Sequence, residues 1–385
     1  MSLTHRSFAW LFAFAAAALS GCQVKGKDMI VYLGTYTGQS SKGIYATRLD
    51  SGTGKLAPPQ LVAELKNPSF LAIHPSQRYL YAIAEIDEFK GQKAGGVAAY
   101  AIDPATAKLT LINQQSTGGP GPAFVGVDGS GKIAMVANYG GGSVESLPIK
   151  DDGSLGEPAS FFQHEGSSVD PARQKEPHAH SINATPDDKY AVAADLGLDK
   201  LLVYKLDTAT GKMSPNDPPF AKTPPGGGPR HLAFAPDGKF AYLVNEMGCS
   251  VTVFSYDGSR GVLTQVQTVS ALPGEKSPKY SGAEVQVHPS GKFVYASIRG
   301  LDVIAIFRVD QATGKLTPAG HQSSGGKTPR NFRIDPTGTF LLAANQGTGN
   351  VVSMRIDPNT GALTPTGSAI DVGSACCVKF LMPAK

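Results

Sequence analysis

The chain has 385 residues, enough for two or three average domains, although closed all-β folds of this length often form one. Its 45 glycines and 28 prolines are spread along the whole sequence between short apolar segments, which is typical of many short strands. The chain has 35 Lys and Arg residues and 31 Asp and Glu residues, so its charge is only mildly basic, and the basic residues do not form a dense stripe. This balance argues against nucleic acid as a partner.

The N-terminal segment has the pattern of an export signal. His5 and Arg6 give it a positive start, and the apolar stretch 8–19 is shorter than the roughly 20 residues that a membrane-spanning helix needs. The stretch ends in Leu-Ser-Gly-Cys (19–22), which resembles the lipobox of bacterial lipoproteins. We therefore predict that Cys22 is lipidated, although a plain secretory signal also ends in small residues.

These features divide the chain into a signal peptide (1–21), a short tether (22–27) and one folded domain (28–385). The residue after Cys22 is Gln23 rather than an aspartate. By resemblance to Gram-negative sorting rules, a residue other than aspartate at this position indicates the periplasmic side of the outer membrane. A lipid anchor would tether the domain to that surface without spanning it.

Three further cysteines are Cys249, Cys376 and Cys377. Export permits disulfides, but three cysteines leave one unpaired, and the adjacent pair cannot bridge without strain. No Cys-x-x-Cys motif is present for zinc or redox chemistry. We expect these residues to be small buried apolar groups.

A self-similar unit recurs along the chain at spacings of 47 to 57 residues. Its best copies begin at Pro229 and Pro329, and weaker copies begin at Pro68, Pro122, Ala179 and Gly282. Each copy predicts an alternating first strand, a Pro-Asp-Gly-type turn, a continuously apolar second strand and a third strand that ends at an Asp. A Thr-Gly-Lys-Leu-type hairpin turn, as at 313–316, then leads to the fourth strand.

The two ends of the chain supply a seventh copy. Residues 29–35 resemble a second strand and residues 43–50 a third, whereas the matching first strand is found only at 377–382. We therefore predict an all-β fold, a seven-bladed β-propeller of four-stranded blades whose C-terminal strand pairs with the N-terminal strands. Closure removes the sheet edges that an open array would expose. A pair of β-sandwiches or a β-helix is the alternative; a WD40 propeller is disfavoured because the sole tryptophan, Trp10, lies in the signal.

The first strand of each blade lies innermost and the second is antiparallel to it, so the start of one and the end of the other meet at the same channel mouth. At the starts of the first strands, the aligned copies place Ser69, Ala123, His180, Arg230, Ala283 (with Glu284 beside it), Arg330 and Cys376. The ends of the second strands carry Glu85, Tyr139, Leu196, Glu246, Arg299, Gln346 and Tyr36. One residue earlier, four blades have Asn138, Asp195, Asn245 and Asn345.

Three arginines around a narrow opening repel one another unless an anion offsets them, and the guanidinium fork suits a carboxylate or phosphate. This pattern indicates a site for a small ligand at the mouth. Each arginine could instead make a local salt bridge, and the Asn/Asp series could shape a loop in every blade. His178 and His180 share a strand face, but without a third ligand we predict no metal and no cofactor.

The aligned chain resembles the seven-bladed lactonase family, which includes bacterial 6-phosphogluconolactonases and fungal carboxymuconate cyclases. The resemblance spans the mature chain and is carried by Val-Tyr-Leu-Gly-Thr-Tyr-Thr (31–37), His-Ser-Ile-Asn (180–183), Gly-Pro-Arg-His (228–231), Asn245-Glu246, Arg299 and Pro-Arg-Asn-Phe (329–332). It implies that His180, Arg230, Glu246 and Arg299 form the catalytic set. The alignment of the repeats reaches the same four positions.

The resemblance also implies hydrolysis of a sugar-acid lactone by a monomer, as in a 6-phosphogluconolactonase. We predict Glu246 as general base with His180 beside it, Arg230 or Arg299 on the oxyanion, and Arg330 on a carboxylate or phosphate. We expect further substrate contacts from Gln346, Tyr36, Asn138, Tyr139 and Glu85. Phosphorylated sugars are made in the cytosol, so the export signal leaves open whether the lactone is phosphorylated. The alternatives are a carboxymuconate-type cycloisomerase and a non-catalytic envelope propeller that binds a sugar, a peptide or a protein.

Overall fold

The computed structural model describes residues 28–382, in which 28 β-strands and no helix are formed. In chain order the strands are β1 (Met29–Thr35), β2 (Gly43–Leu49), β3 (Gln60–Glu64), β4 (Leu71–Ile73), β5 (Tyr79–Ala84), β6 (Gly96–Ile102), β7 (Leu109–Ser116), β8 (Pro122–Val127), β9 (Ile133–Asn138), β10 (Ser143–Pro148), β11 (Ser160–Gln163), β12 (Ala179–Ala184), β13 (Tyr190–Asp195), β14 (Lys200–Asp207), β15 (Lys212–Lys222), β16 (Pro229–Phe234), β17 (Phe240–Asn245), β18 (Ser250–Asp257), β19 (Val262–Ser270), β20 (Ser281–Val287), β21 (Phe293–Arg299), β22 (Val303–Val309), β23 (Leu316–Ser323), β24 (Pro329–Ile334), β25 (Phe340–Asn345), β26 (Asn350–Ile356), β27 (Leu363–Asp371) and β28 (Ala375–Phe380).

The strands form seven four-stranded antiparallel sheets, and the predicted seven-bladed β-propeller is confirmed. Blade 1 has the order β28-β1-β2-β3, and blades 2 to 7 each take four consecutive strands, from β4–β7 through β24–β27. The second strands are the most buried, as in β9 and β25, because neighbouring blades cover both of their faces. The outermost strands, such as β19, carry mostly exposed and half-buried residues.

A recurring tyrosine joins neighbouring blades. The hydroxyl groups of Tyr32, Tyr81, Tyr242 and Tyr295 lie on second strands and donate to backbone carbonyls in the third-to-fourth hairpin of the next blade. In these turns a glycine such as Gly314 has a φ of 70°, and a Cβ there would collide with the Phe240 ring of the preceding blade. The Thr-Gly pattern of the sequence therefore reflects both the turn and the packing between blades.

The ring closes where β28 pairs with β1, with Val31 opposite Phe380 and Leu33 opposite Val378. This confirms the predicted closure, although the C-terminal strand begins two residues earlier than position 377 and ends at Phe380. The earlier start follows from a register shift between Gly34 and Thr35, which lets the pairing continue past one extra residue.

The innermost strands share an irregularity at their starts. In β16 the register shifts between Pro229 and His231, and equivalent shifts occur in β8, β12 and β24. Successive residues of a regular strand point to opposite faces, but a bulge changes this alternation. Arg230 and His231 consequently line the same pocket at the channel mouth.

Between residues 28 and 382 there is no helix that could cross a membrane. Within the same range, Cys249, Cys376 and Cys377 are buried with free thiols. The predicted signal peptide, the Cys22 lipidation site and the tether lie outside the described residues.

Candidate active site

Glu246 directly follows β17 and lies at the mouth where the innermost strands begin. Its Oε2 accepts a hydrogen bond from Arg230 Nε at 3.1 Å and lies 3.0 Å from Arg299 Nη2. Its Oε1 accepts from Arg173 Nη2 at 3.0 Å. Arg230 comes from the same blade, Arg299 from blade 6, and Arg173 from the connection between β11 and β12. Guanidinium groups from three separate segments therefore meet one carboxylate.

This setting determines the charge of Glu246, which is only 7% exposed. Burial alone would raise its pKa, but Arg299, Arg230 and Arg173 together lower the pKa to about 2. The carboxylate is therefore ionised at neutral pH, as a general base requires. With all three cations in place it is also a weak base, because proton transfer is most efficient when the pKa lies near the working pH.

His180 lies at the start of β12 and is buried. Burial, followed by the charge of Arg230, holds the pKa of its imidazole well below the ordinary value, so the ring is neutral at pH 7. Its ring packs edge-on against Tyr139 and His231, each at 5.2 Å between centroids. Among residues 28–382, Nδ1 has no hydrogen-bond partner and no hydrogen bond joins His180 to Glu246. The predicted help of His180 to Glu246 stays a prediction.

Arg330 belongs to a second group of side chains at the same mouth. Its Nη2 donates to Tyr36 Oη at 3.0 Å, and its guanidinium lies 5.3 Å from the centre of that ring. Tyr36 Oη in turn donates to Glu85 Oε2 at 2.7 Å, and Ser69 Oγ donates to the same oxygen. This chain of contacts crosses from blade 7 through blade 1 to blade 2 and holds the Arg330 guanidinium in place.

The pocket between the two groups is small. Its volume is about 10 Å³, room for about one water molecule. Cys376 lines this pocket, but burial raises the pKa of its thiol well above the usual value. The thiol is therefore protonated at neutral pH and is not poised as a nucleophile.

Beneath Arg230 lies a buried pair, His231 and Glu284. His231 Nδ1 lies 3.1 Å from Glu284 Oε2, and its Nε2 lies 3.4 Å from Arg230 Nη1. Burial and the nearby Arg230 lower the pKa of His231 to about 4, so the neutral ring donates from Nδ1 and accepts at Nε2. Arg230 also donates to the carbonyl of Ala283. The guanidinium is thus supported from below while its Nε faces Glu246.

Tyr139 and Arg173 complete the rim of the mouth. Arg173 Nη2 donates to Tyr139 Oη at 3.0 Å as well as to Glu246, and the Arg173 side chain is 44% exposed. The Tyr139 ring stacks on His178 at 4.6 Å, and His178 Nδ1 lies 3.0 Å from the Tyr139 carbonyl oxygen. No group of three or more potential metal-ligating side chains occurs in the described part of the chain.

The alignment of the repeats predicted ten site residues, and the structure brings eight of them together at the mouth: Glu246, His180, Arg230, Arg299, Arg330, Tyr36, Tyr139 and Glu85. Asn138 is buried inside blade 3, where Nδ2 donates to the Thr117 carbonyl at 2.7 Å and to Ser143 Oγ at 3.0 Å. Asn245 and Asn345 make corresponding contacts with Ser250 and the Ser324 carbonyl, so this series shapes loops. Gln346 is half-buried and makes no side-chain hydrogen bond to another described residue.

Arg173, His231 and Glu284 were not among the predicted functional residues. Arg173 lies outside the repeated unit, in the β11–β12 connection, which is longer than the corresponding connections between the other blades, so the alignment carried no signal for it. His231 was visible in the Gly-Pro-Arg-His motif. Regular strand alternation, however, would turn it away from the face that Arg230 occupies.

The fold and the mouth define a β-propeller with a cation-rich small-molecule site at one end of its channel. The chain belongs to the family described as "Lactonase, 7-bladed beta-propeller", whose model matches residues 30–380. It is 41% identical over 307 residues to 6-phosphogluconolactonase of Bacillus subtilis, covering 79% of this chain and 84% of that protein. It is 34% identical over 309 residues to 6-phosphogluconolactonase of Formosa agariphila, covering 79% and 86%.

Among solved structures, the chain is similar to the periplasmic gluconolactonase of Pseudomonas aeruginosa. The two are 36% identical with a TM-score of 0.87, and the match covers 92% of this chain and 99% of that one.

Proposed function

We propose that this protein hydrolyses the lactone of a sugar acid at the arginine-lined mouth. The observation that carries the proposal is the Glu246 carboxylate held by Arg230, Arg299 and Arg173 at the mouth. The buried His180 at the same end of the channel has an Nδ1 without a partner among residues 28–382. Relatives named as 6-phosphogluconolactonases and a structural neighbour named as a gluconolactonase support it.

Hydrolysis adds water to the lactone carbonyl, moves one water proton to a base, and breaks the ring C–O bond with protonation of the ring oxygen. Glu246 is the proposed base. Arg299 and Arg230 lie beside it and would stabilise the oxyanion that forms on the carbonyl oxygen. Four guanidinium groups (Arg173, Arg230, Arg299 and Arg330) face two carboxylates (Glu246 and Glu85), so the mouth keeps an excess of positive charge for this oxyanion or for an acidic substrate.

In this proposal Arg173 acts as a gate that controls access to the Glu246 carboxylate. Arg173 is the most exposed of the three cations on Glu246, and it alone occupies Oε1. A substrate that draws Arg173 away would free Oε1 for a water molecule and raise the pKa of Glu246, because one neighbouring cation is lost. Arg230 and Arg299 would remain on Oε2 and hold the carboxylate in place.

We further propose that the protein is exported, lipidated at Cys22 and held at the periplasmic side of the outer membrane. The Leu-Ser-Gly-Cys segment (19–22) and Gln23 support this location, as does the similarity to a gluconolactonase named as periplasmic. In that compartment the substrate would be a lactone without a phosphate group. The family's phosphorylated lactone is the competing substrate.

A pH-stat assay of the purified protein tests the activity, with spontaneous hydrolysis subtracted. We expect acid release from glucono-δ-lactone, and 6-phosphogluconolactone in parallel measures the preference. The Arg330→Ala variant should raise KM more for the phosphorylated lactone than for the neutral one. A protein that turns over neither lactone while it binds gluconate would be a binding module instead, and turnover of a carboxymuconate alone would make it a cycloisomerase.

A further inference from the structure

The opposite end of the channel holds two adjoining cavities, of about 520 and about 320 Å³. Each is far larger than the pocket at the arginine mouth. Their combined size is in the range of small-molecule sites. Four polar side chains line both cavities: Asn183, Gln286, Arg333 and Lys379. We refer to this space as the lower chamber.

The repeat explains why these four residues meet. Each lies three positions after the residue of its blade that faces the arginine mouth, so they share one level of the channel. At this level the seven blades supply Ala72, Gly126, Asn183, Ala233, Gln286, Arg333 and Lys379. Three of the seven are alanine or glycine, which opens the space. The two cations belong to neighbouring blades, 7 and 1, and no acidic residue occupies this level.

Two carboxylates, Glu284 and Asp335, also line these cavities, but their oxygens are bonded to other groups rather than to Arg333 or Lys379. Glu284 accepts four hydrogen bonds, from the side chains of His231, Asn331 and Gln286 and from the backbone of Val285. Asp335 likewise accepts from the Thr337 backbone, the Thr337 hydroxyl and the Phe340 backbone.

The two cations therefore keep free donors. Arg333 donates from Nη1 to Gln286 Oε1 at 2.8 Å, and Lys379 Nζ lies 4.3 Å from the centre of the Phe70 ring. Neither forms an ion pair with an acidic residue between positions 28 and 382. Burial and the charge of Arg333 lower the pKa of Lys379, and the Glu284 carboxylate offsets part of this shift without forming an ion pair with the ammonium group.

Asn183 adds an independent sign of a ligand. Its Nδ2 is buried and has no hydrogen-bond partner among the described residues, and the residue lines both cavities. A buried amide without a partner is costly, since it has given up its bonds to water. We propose that the lower chamber is a second binding site, distinct from the arginine mouth, for a small polar molecule that carries a carboxylate or a phosphate. Arg333 and Lys379 hold the oxyanion and Asn183 donates to it.

Isothermal titration calorimetry of the purified protein tests this site, with inorganic phosphate and gluconate as separate probes at constant ionic strength. The Arg333→Met/Lys379→Met double variant should weaken binding of the preferred probe about tenfold or more, because bonds to charged groups are removed. The Lys212→Met/Arg260→Met control makes the same charge change at exposed positions and should bind like the wild type. Arg330→Ala should also retain this binding, which separates the chamber from the arginine mouth.

A single substitution tests the same site in case the double variant does not fold. Asn183→Asp keeps the side-chain shape but places a carboxylate in the lining of the chamber, so the folded protein should lose anion binding. The proposal is overturned if neither probe binds at millimolar concentrations, or if binding survives both Asn183→Asp and the double variant. It is also overturned if a chain that ends at Met382 binds a probe that the full chain does not, because the chamber would then belong to the chain's own C-terminal residues. Lactone turnover is measured on the same samples, and its presence or absence does not affect these outcomes.

Discussion

Arg299 and Glu246 come from adjacent blades and form a 3.0 Å ion pair at the mouth of the channel. Arg299 is the last residue of β21, and Glu246 directly follows β17. Both are second strands, so the pair joins equivalent positions of blades 6 and 5. Arg299 also donates to the Gly282 carbonyl at 3.0 Å. The catalytic carboxylate that we propose is therefore held across a blade boundary, and its position depends on the packing of the ring.

Glu246→Gln is the most direct test of the proposed base. It preserves shape and most hydrogen bonding but removes basicity, so kcat for lactone hydrolysis should fall by roughly 10²–10⁴ with little change in KM. Steady-state kinetics measures this loss, and a melting curve shows that the variant is folded. Glu64→Gln removes an exposed carboxylate and serves as the control. Equal rates for Glu246→Gln and the wild type would exclude Glu246 as the base.

The pH dependence of the reaction follows from the low pKa values at the mouth. Glu246, with a pKa of about 2, is deprotonated throughout the range from pH 5 to 8, and the lowered pKa of His180 keeps its ring neutral at pH 7. We expect kcat/KM to stay nearly flat over that range. A base with the ordinary histidine pKa near 6.5 would instead lose activity about thirtyfold at pH 5. An acid limb near pH 6 to 7 would contradict the assignment.

Arg173→Met tests the gate. One of three cations beside Glu246 is lost, so the pKa of Glu246 should rise from about 2 toward its ordinary value of 4.5, and the acid limb of kcat/KM should move to higher pH. Activity at pH 7 should remain within about tenfold of the wild type, since the base stays ionised. Arg260→Met, at an exposed outer position, is the control. A loss at pH 7 as large as that of Glu246→Gln would show instead that Arg173 is itself essential.

The buried Glu145 carboxyl should make the stability of the folded protein depend on pH. It is 2% exposed in β10, and burial raises its pKa from 4.5 to about 8. The folded state therefore binds this proton more tightly than the unfolded state, and stability from this group falls by up to about 1.4 kcal/mol per pH unit between those values. Glu145→Gln should raise Tm at pH 8 and change it little at pH 5. A shift in Tm that is the same at both pH values would refute this origin.

Cys22→Ser tests the proposed anchor. One residue would carry the lipid, so the variant should leave the membrane fraction or remain unprocessed. Fractionation and the mass of the mature protein measure both outcomes. The lipoprotein interpretation fails if the variant fractionates with membranes as the wild type does and has the same mature mass.

The fold could be predicted because the repeat encodes it locally. The turn after each first strand marks the register, so the copies around Pro229 and Pro329 fix the positions of the others, and the unmatched N-terminal copy requires a partner strand such as β28. The mouth followed from the same alignment, which is why Arg230, Glu246 and Arg299 were predicted to converge.

The rest of the site depends on departures from the repeat. Arg173 reaches Glu246 from an irregular connection, and its position is set by tertiary contacts with Tyr139 rather than by strand alternation. Asn138 precedes Tyr139 by one residue, and this single step turns its side chain into blade 3 instead of toward the mouth. His231 faces the channel only because of the bulge at the start of β16.

The pairing of β28 with β1 sets an order on folding. Blade 1 lacks its innermost strand until the last part of the chain has been synthesised. More than 300 residues separate its other three strands from the strand that completes it. During that interval β1 presents an unpaired edge, which is the surface that strands of other molecules can join. Ring closure joins β1 and β28, which have the highest sequence separation of any paired strands in the described residues. Completion of blade 1, rather than formation of the local hairpins, should therefore limit how fast the mouth becomes functional.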